Sequence, residues 1–565
     1  MKKYFLLWAL VCPVLGFAAA PNCAIEEELP LKLMEQQLTR SFKILKKQNP
    51  PIYYLSYTYK EGEDAVLGVA YDGVAVKRVT PVSSAEVMAR AGSTKLDNTR
   101  ALRGERENWE LPVWSAPVPD PSDPKGFLTA WWKGTQQAAE NAQRDFSRVQ
   151  SNVRSMAAVR DQSDDFVFPP KETYCRTEKL QEIDLTQYED MLKEASRLAR
   201  GKDFVLTSSF SVSAEQGHRY FADSRGTRLK TPYSFFRLAY QFSGRSKDGL
   251  EISRDGIYDV LSPQDFPSRE KLLADVDKSL RELEELSNAP EGDPYNAPTI
   301  LKGRAAAVFV HEVMGHRLEG YRLKNAGDGQ TLAGKVGQQV ISPLITITAD
   351  PTQTQFKGEP LRGHYEYDDE GVKARPVTLI ENGVLKNFLM QSSPIEGFPV
   401  SNGHGRKQTG RRAEARMSVI RATASQTVPY EKLEEMLVEE IKRQGKPYGF
   451  IVEDLGGGFT LTGTGLPQSF KLEAKRVLRV YPDGHKEVVR GLDVVGTPLV
   501  SFNKILAAGD DDTLFNGSCG AESGWVPQSN IAPSLLFENL EMEKTQKSDF
   551  KPPVLPAPDA EEEGK

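Results

Sequence analysis

The sequence predicts an α+β protein in which helices pack on antiparallel strands, and three patterns support this fold class. Apolar residues recur at helical spacing over residues about 27–48 and 268–288, as in amphipathic helices. Between these segments, aromatic and β-branched residues alternate with polar ones, as in strands that have one wet face. Turn sequences such as Asp72-Gly73 join neighbouring strands. We therefore expect an N-terminal mixed region and a C-terminal twisted antiparallel sheet or barrel.

The N-terminal elements begin and end at clear signals. The first helix must end at Pro50-Pro51, because proline cannot continue a helix. A Pro- and Asp-rich loop is expected over 112–126. The remaining predicted helices are Gly126–Arg160 and Tyr188–Arg200, and the predicted strands are Ile52–Tyr59, Val66–Ala70, Val74–Val79, Phe204–Ala214, His218–Asp223, Thr227–Thr231 and Phe236–Ser243.

The chain changes character after Asn288–Asn296, a segment rich in Pro, Gly, Asp and Asn that predicts a domain boundary. Beyond it glycine is dense and strands dominate. The predicted elements there are a hairpin of Val377–Ile380 and Val384–Leu389, a helix around Leu433–Ile441, and strands at Phe450–Val452 and Phe470–Val480. The predicted organisation is a signal peptide (1–20), an N-terminal α+β region (21–200), middle strands and a helix (201–296), a C-terminal domain (297–546) and a disordered acidic tail (547–565).

The first residues predict export to the periplasm or the extracellular space. Lys2 and Lys3 precede the apolar stretch Tyr4–Phe17, and Ala18-Ala19-Ala20 supplies small residues for cleavage, as in a secretory signal peptide. A retained membrane anchor is the alternative. No later segment has the apolar length of a membrane span. The formal net charge is −6 with no basic stripe, which argues against a nucleic-acid partner.

Three cysteines remain after the signal: Cys23, Cys175 and Cys519. In an oxidising compartment an odd number implies one disulfide and one thiol with another task. A Cys23–Cys175 pair would tie the mature N-terminus to its own domain. It would leave Cys519 available as a metal ligand.

The segment His311-Glu312-Val313-Met314-Gly315-His316 follows the apolar run Ala305–Val310, so it belongs to a buried helix. Two imidazoles and a carboxylate are costly to bury unless something pairs with them, and a metal ion is the simplest partner. Five helical positions rotate the second histidine by roughly 140° from the first, so a regular helix cannot bring the two rings together. We expect a π-like distortion at Met314–His316, loosened by Gly315. Two unrelated histidines are the alternative.

A hydrolytic zinc site needs three protein ligands and one open position. The candidates for the third ligand are Glu319, His364, His404, His485 and Cys519. Cys519 lies in a Gly-flanked segment, and zinc ligation would explain why its thiol stays reduced. For substrate binding, Gly456, Gly457 and Gly458 suit the addition of a peptide strand. A substrate carboxylate could bind to arginines of one loop, which otherwise are solvated charges: Arg406, Arg411, Arg412 and Arg416.

Several blocks together resemble the TldD/PmbA family of metallopeptidases, which includes the modulator of DNA gyrase proteins. They are Gly303–Ala305, His311–Gly320, Tyr367–Gly371, Leu379–Leu385, Gly403–Ser418, Gly456–Gly458 and Gly517–Gly520, and they cover about residues 300–540. The resemblance implies that His311, His316 and Cys519 bind one zinc ion per chain and that Glu312 is the general base. It also implies a homodimer, or a heterodimer with a PmbA-like subunit.

The function that we expect is zinc-dependent hydrolysis of peptide bonds in unfolded or small peptides. The metal would activate a water molecule, and Glu312 would take its proton and return it to the leaving amine. One alternative is a non-catalytic scaffold or partner subunit with a closed metal site, in which Glu319 or His404 is the fourth ligand. The other is an amidase that acts on cell-wall peptides.

Overall fold

The computed structural model describes residues 22–102, 113–155, 161–324, 329–463 and 468–546. Over these ranges the protein is α+β with mostly antiparallel sheets, which confirms the predicted fold class. The predicted signal peptide (1–20) and acidic tail (547–565) lie outside the described residues, as does the end of the predicted helix at 156–160. Among the described helices, none combines the length and the apolar character that crossing a membrane requires.

The N-terminal region is built on one seven-stranded sheet with the order β3-β2-β1-β5-β6-β4, in which β7 also pairs with β6. Its strands are β1 Ile52–Ala70, β2 Gly73–Ala91, β3 Trp114–Pro117, β4 Thr173–Cys175, β5 Val205–Asp223, β6 Arg228–Arg245 and β7 Glu251–Val260. Because β5 pairs with β1 along most of its length, the boundary drawn at residue 200 divides strands that belong to one sheet.

Four helices cover one face of this sheet: α1 Leu29–Leu45, α2 Pro124–Ser155, α3 Thr186–Arg197 and α4 Arg269–Asn288. The residues of β1 that pack beneath them have odd numbers, from Leu55 to Val69. Even-numbered residues therefore point to the opposite face, since side chains alternate along a strand. A disulfide between Cys23 and Cys175 joins the segment before α1 to β4.

The C-terminal region contains a closed five-stranded barrel, because the order β17-β8-β24-β20-β18 returns to its start through a β17–β18 pairing. Its strands are β8 Tyr295–Leu301, β17 Gly449–Thr460, β18 Phe470–Val480, β20 Leu492–Gly496 and β24 Leu535–Lys544, and β19 Lys486–Val489 and β21 Ile505–Ala508 extend it. A closed barrel has no free edge where its strands pair on both sides.

A six-stranded sheet with the order β13-β12-β9-β16-β23-β22 lies beside the barrel. Its strands are β9 Ile345–Ala349, β12 Val377–Glu381, β13 Val384–Leu385, β16 Val419–Ala424, β22 Thr513–Ala521 and β23 Gly524–Ala532. The short pairs β10 Gln355–Phe356 with β11 Glu359–Pro360, and β14 Gly405–Arg406 with β15 Glu414–Ala415, complete the strands. The helices are α5 Gly303–Phe309, α6 Tyr321–Lys324, α7 Tyr430–Arg443 and α8 Pro498–Asn503.

Helix α5 joins these two layers. It contacts β17 of the barrel on one side and β22 and β23 of the sheet on the other. Its last residue, Phe309, is fully buried against Phe470, Phe502 and Phe537, with ring centroids 5.7, 4.8 and 5.1 Å away. This packing fixes the start of the histidine segment that follows α5.

Ion pairs connect the helix-free face of the N-terminal sheet to the C-terminal region. Lys407 Nζ lies 2.6 Å from Glu86 Oε2, and Arg304 Nη2 lies 3.4 Å from Asp255 Oδ2. Arg219 also pairs with Asp369. The two regions therefore meet through charged groups and through one small apolar cluster, which consists of Tyr174, Phe221, Leu229 and Tyr367.

Candidate metal centre

The helix changes its winding at the histidine motif. Helix α5 ends at Phe309, one π-helical turn follows over Val310–Met314, and a 3₁₀ turn covers Gly315–Leu318. The wider turn brings the rings of His311 and His316 together, with centroids 5.1 Å apart. A π-type distortion is therefore present as predicted, but it begins at Val310 and so lies earlier than the predicted Met314–His316.

Gly315 has a different role from the expected one. Its φ of −53° is an ordinary helical value, so this position does not need the backbone freedom of glycine. A Cβ atom there would lie 2.0 Å from Met417 Sδ. A side chain at position 315 would therefore displace the Met417 side chain, which comes from the segment before β16 and packs directly on the helix.

Strand β22 brings Cys519 to the two histidines. One donor atom from each of His311, His316 and Cys519 lies within 4.8 Å of the others, and Cys519 Sγ is 3.3 Å from His316 Nε2. All three side chains are buried. Two imidazole nitrogens and one thiolate are a donor set that zinc prefers, and three donors leave one tetrahedral position open. These residues therefore fit a zinc ion.

Glu312 lies next to this donor set. Its carboxylate oxygens are 4.0 Å from His311 Nε2 and 3.9 Å from His316 Nε2. Burial raises the pKa of Glu312, although the two neighbouring imidazoles oppose the shift. A carboxylate with a raised pKa beside three metal donors is well suited to accept and return a proton.

A charged network supports His316. His316 Nδ1 is 3.1 Å from Glu319 Oε2, and Glu319 is fully buried. Arg416 Nε and Arg322 Nη2 lie 3.2 and 2.9 Å from the carboxylate oxygens of Glu319. Burial alone would raise the pKa of Glu319, but His316 and the two arginines lower it to about 2. Glu319 is therefore charged and already fully used, so it is not available as a fourth metal ligand.

The same network reaches Cys519. Arg416 is also completely buried, and its Nη2 donates to the backbone oxygen of Cys519 at 2.8 Å. Although burial opposes the shift, His316, His311 and Arg416 hold the pKa of the Cys519 thiol well below its usual value. The sulfur is therefore present as the thiolate that metal binding requires.

His311 has a neutral neighbour instead. Its Nδ1 lies 3.4 Å from the side-chain amide of Asn530, a fully buried residue of β23. The amide nitrogen of Asn530 also donates to Gln528 Oε1. Asn530 Oδ1 has no hydrogen-bond partner in the part of the chain that the structure describes. Nothing in the sequence pattern singles out Asn530, because it is 219 residues from His311.

The other candidate ligands lie elsewhere. His364 Nδ1 bonds to the backbone oxygen of Pro351 at 2.8 Å, and His485 stacks on Tyr481. His404 is fully buried, with Nδ1 3.2 Å from the backbone oxygen of Asn402. Within the described ranges, no fourth His, Cys, Asp or Glu side chain joins the three donors.

The expected substrate arginines need correction. Arg406 is buried and donates to the backbone oxygens of Met417, at 2.6 Å, and of Pro527. Arg412 donates to Glu414 at 2.8 Å and to the backbone oxygen of Thr99 at 2.9 Å. Both guanidinium groups therefore hold protein segments together. The glycines Gly456, Gly457 and Gly458 lie in β17.

Sequence comparison finds metalloproteases among the relatives of this chain. A metalloprotease of Methanothermobacter thermautotrophicus is 26% identical over 353 residues, which cover 60% of this chain and 70% of that protein. A metalloprotease TldD homolog of Haemophilus influenzae is 25% identical over 72% of this chain and 80% of that protein. A zinc metalloprotease TldD homolog of Saccharolobus solfataricus is 26% identical and covers 62% and 75%.

Structural comparison shows the same fold in solved proteins. TldE from Thermococcus kodakarensis matches with a TM-score of 0.59 and 17% identity, over 90% of this chain and 99% of TldE. A Thermotoga maritima protein described as a modulator of a DNA gyrase matches with a TM-score of 0.59 and 17% identity, over 90% and 100%. Residues 294–544 match the family model of the PmbA/TldA metallopeptidase C-terminal domain. These residues are therefore a C-terminal domain of the PmbA/TldD metallopeptidase family.

Proposed function

We propose that this protein is a zinc-dependent metallopeptidase that hydrolyses peptide bonds in unfolded or small peptides. The supporting observation is the convergence of His311, His316 and Cys519 within 4.8 Å, next to the Glu312 carboxylate. Bound to these donors, one zinc ion would supply Lewis acidity, which polarises a carbonyl oxygen and lowers the pKa of water. Glu312 takes the proton of the attacking water and returns it to the leaving amine.

The supporting side chains keep the donors in place. Glu319 accepts from His316 Nδ1 and so orients the ring that presents Nε2 to the metal. Arg416 holds Glu319 and the backbone of Cys519 at once, so the second histidine and the thiolate keep one relative position. The side-chain amide of Asn530 lies 3.4 Å from Nδ1 of His311.

A free strand edge beside the site suits an extended peptide. Strand β17 pairs with β8 only at Phe450–Val452, whereas its pairing with β18 continues to Thr460. Beyond Val452, one edge of β17, including Gly456–Gly458, therefore has no strand partner among the described residues. This strand contacts the π turn that carries Glu312. A substrate that adds to this edge offers its main chain to the site without regard to sequence.

The scaffold alternative is less well supported. It requires a closed site with four ligands, but Glu319 is committed to His316 and two arginines, and His404 is not in the donor cluster. Three donors with a carboxylate at about 4 Å leave room for a reacting group. Hydrolysis is favoured over a scaffold role on this ground, and the test below distinguishes a peptidase from a cell-wall amidase.

We also propose that the chain is exported and works as a dimer with a second copy or with a TldE-like subunit. The Cys23–Cys175 disulfide supports export, because such bonds persist in oxidising compartments. The structural match to TldE supports a partner of that kind. N-terminal sequencing of the protein from its native host tests export. A mature start near Pro21 is expected, and an intact Met1 would contradict it.

The decisive experiment uses the purified full chain and its Glu312→Gln variant. We expect one zinc ion per chain in both, measured by mass spectrometry of the metal, and a loss of peptide cleavage of about 100-fold or more in the variant. Glu61→Gln is the matched control, because burial also raises the pKa of Glu61 but this residue lies in the N-terminal sheet.

Each outcome of this experiment tests one of the candidate roles of the metal centre. A Glu312→Gln variant that keeps both metal and activity refutes the general-base role. Wild-type protein that cleaves cell-wall fragments but no peptides is an amidase. Protein that binds zinc and cleaves neither is the scaffold.

A further inference from the structure

A cleft of about 340 Å³ lies between the helix-free face of the N-terminal sheet and the C-terminal region. Small side chains form its floor, among them Ser209, Ser211 and Ala239 of β5 and β6. Its walls include Gly456 of β17 and residues 515–517 of β22. Strand β22 is an edge strand of its sheet, so the cleft runs between two strands with free edges.

The cleft lies close to the metal donors along two separate elements. Gly517 precedes Cys519 by two residues of β22, which corresponds to about 7 Å in a strand. Arg304, another lining residue, precedes His311 by seven helical positions, which corresponds to about 10 Å. An extended peptide covers this distance in about two to three residues. Groups in the cleft can therefore contact a peptide that is cleaved at the metal.

Two guanidinium groups share one aromatic ring next to the cleft, and one of them, Arg237, lines the cleft. Arg362 lies over Phe235 at 4.1 Å from the ring centroid, and Arg237 lies over the same ring at 5.1 Å. Phe235 and Arg237 belong to the floor strand β6. The backbone N–H of Arg362 donates to Asn516 Oδ1 at 3.2 Å, and Asn516 lines the cleft. Arg362 and Arg237 therefore contact the floor strand β6 through Phe235, and Arg362 also contacts the wall residue Asn516.

The two arginines differ in their partners. Arg237 makes two hydrogen bonds to Asp259, at 2.7 and 2.8 Å. Arg362 makes no ion pair with any residue in the described ranges, and Asp259 and Glu215 attract it only from beyond ion-pair distance. Burial and the charge of Arg237 lower the pKa of Arg362 to about 10, so the guanidinium stays charged at neutral pH. Arg362 is thus a half-buried cation whose guanidinium N–H groups have no ion-pair partner among the described residues.

The remaining cations of the cleft are already neutralised. Lys475 pairs with Asp255, and Arg304 lies 3.4 Å from the same carboxylate. Arg304 also lies 3.3 Å from Asp454. Arg362 is therefore the cation around the cleft that best fits an incoming anion.

We propose that Arg362, with Arg237 beside it, forms a subsite next to the cleft that binds a carboxylate of the peptide substrate. This inference rests on the proposed peptidase function. A planar guanidinium binds a carboxylate through two parallel hydrogen bonds, and stacking on Phe235 holds the Arg362 plane in place. The carboxylate is either the C-terminus of a short peptide or an Asp or Glu side chain.

Peptide binding to the full-length Glu312→Gln protein, loaded with zinc, tests this subsite without turnover. Fluorescence anisotropy compares labelled peptides of one length that carry a single Glu at successive positions, or only neutral residues, each with a free or an amidated C-terminus. In this background Arg362→Gln should weaken binding of the preferred acidic peptide about 10-fold and leave the neutral amidated peptide unchanged. Arg362→Lys should restore part of the loss.

Arg225→Gln is the matched control, since this exposed guanidinium also stacks on a ring, Phe168, at 4.5 Å but belongs to the turn between β5 and β6. A requirement for the free C-terminus assigns the subsite to the α-carboxylate, and a preference for Glu at one position assigns it to a side chain. Equal binding of acidic and neutral peptides, or an equal loss for both in Arg362→Gln, overturns the proposal. Selective binding without any cleavage by the wild type refutes the peptidase function but not the subsite.

Discussion

The two histidines of the metal centre have contrasting surroundings, although both are buried and both point towards Cys519. His316 faces the charged Glu319, which two arginines hold, and one of these also binds the backbone of Cys519. His311 faces the neutral amide of Asn530, which bonds to Gln528. We expect the two surroundings to have different roles. The charged side, which is Glu319 with its two arginines, should stabilise the fold as well as the metal donors. The neutral side, which is Asn530 with Gln528, should affect only the orientation of the His311 ring.

The charged side should show the largest effect on stability. Glu319→Gln leaves the buried Arg416 without its carboxylate, and removing one partner of a buried ion pair costs about 3–5 kcal/mol. We expect this loss in the free energy of unfolding, measured with urea on the metal-free protein. Adding Arg416→Met should recover part of it, because no unpaired buried charge remains.

Glu440→Gln provides the control for this prediction. Its partner Arg443 is 62% exposed, so the same change there should cost less than about 1 kcal/mol. If Glu319→Gln costs no more than Glu440→Gln, the charged network does not stabilise the fold.

Zinc binding should stabilise the folded protein, because the ion would join His316 and Cys519 on the charged side to His311 on the neutral side. At a free concentration one hundred times its dissociation constant, a ligand that binds only the folded state adds about 2.7 kcal/mol. Thermal unfolding with and without zinc measures this gain. It should vanish in Cys519→Ala and persist in Ser518→Ala, whose side chain is exposed beside it. A gain that survives in Cys519→Ala would show that zinc binds elsewhere.

The neutral side should show the smallest effect on stability and act mainly on the metal. Asn530→Ala removes the neighbour of His311 Nδ1, and loss of such a contact weakens metal binding about 10-fold. Competition with a coloured chelator measures the affinity. Asn530→Asp should bind zinc at least as tightly as the wild type, because its carboxylate accepts from His311 Nδ1. An equal loss of stability of the metal-free fold in Asn530→Ala and Glu319→Gln would contradict the expected difference between the two sides.

The sequence predicts the N-terminal hairpins but not their length. Asp72-Gly73 correctly marks the turn between β1 and β2. The polar run Lys60–Asp64 reads as a break, yet β1 continues through it, because Tyr220 donates to Glu61 at 2.6 Å and Gln216 donates to Glu63 at 2.7 Å. These partners are more than 150 residues away, so local pattern cannot reveal them.

The metal centre can also be predicted only in part, because some of its features depend on neighbouring residues and others on residues far away in the sequence. The five-residue spacing of His311 and His316 predicts the π distortion, because the need for it is local. The reason for Gly315 is not local, since it depends on Met417. The arginines of the 406–416 segment look alike in sequence, and only their burial shows that Arg406 and Arg416 are internal donors. Asn530 and Arg362 carry no sequence signal at all.

The position of α5 between barrel and sheet has a consequence for how the protein folds. His316 and Cys519 are 203 residues apart, and Cys519 reaches the histidine motif through β22, which packs on the helix. Contacts of such high sequence separation form slowly, because a long loop must close before they contribute. We therefore expect the metal site to form late in folding, and an isolated peptide of residues 303–324 lacks the third donor. Zinc uptake by this chain thus reports a completed fold.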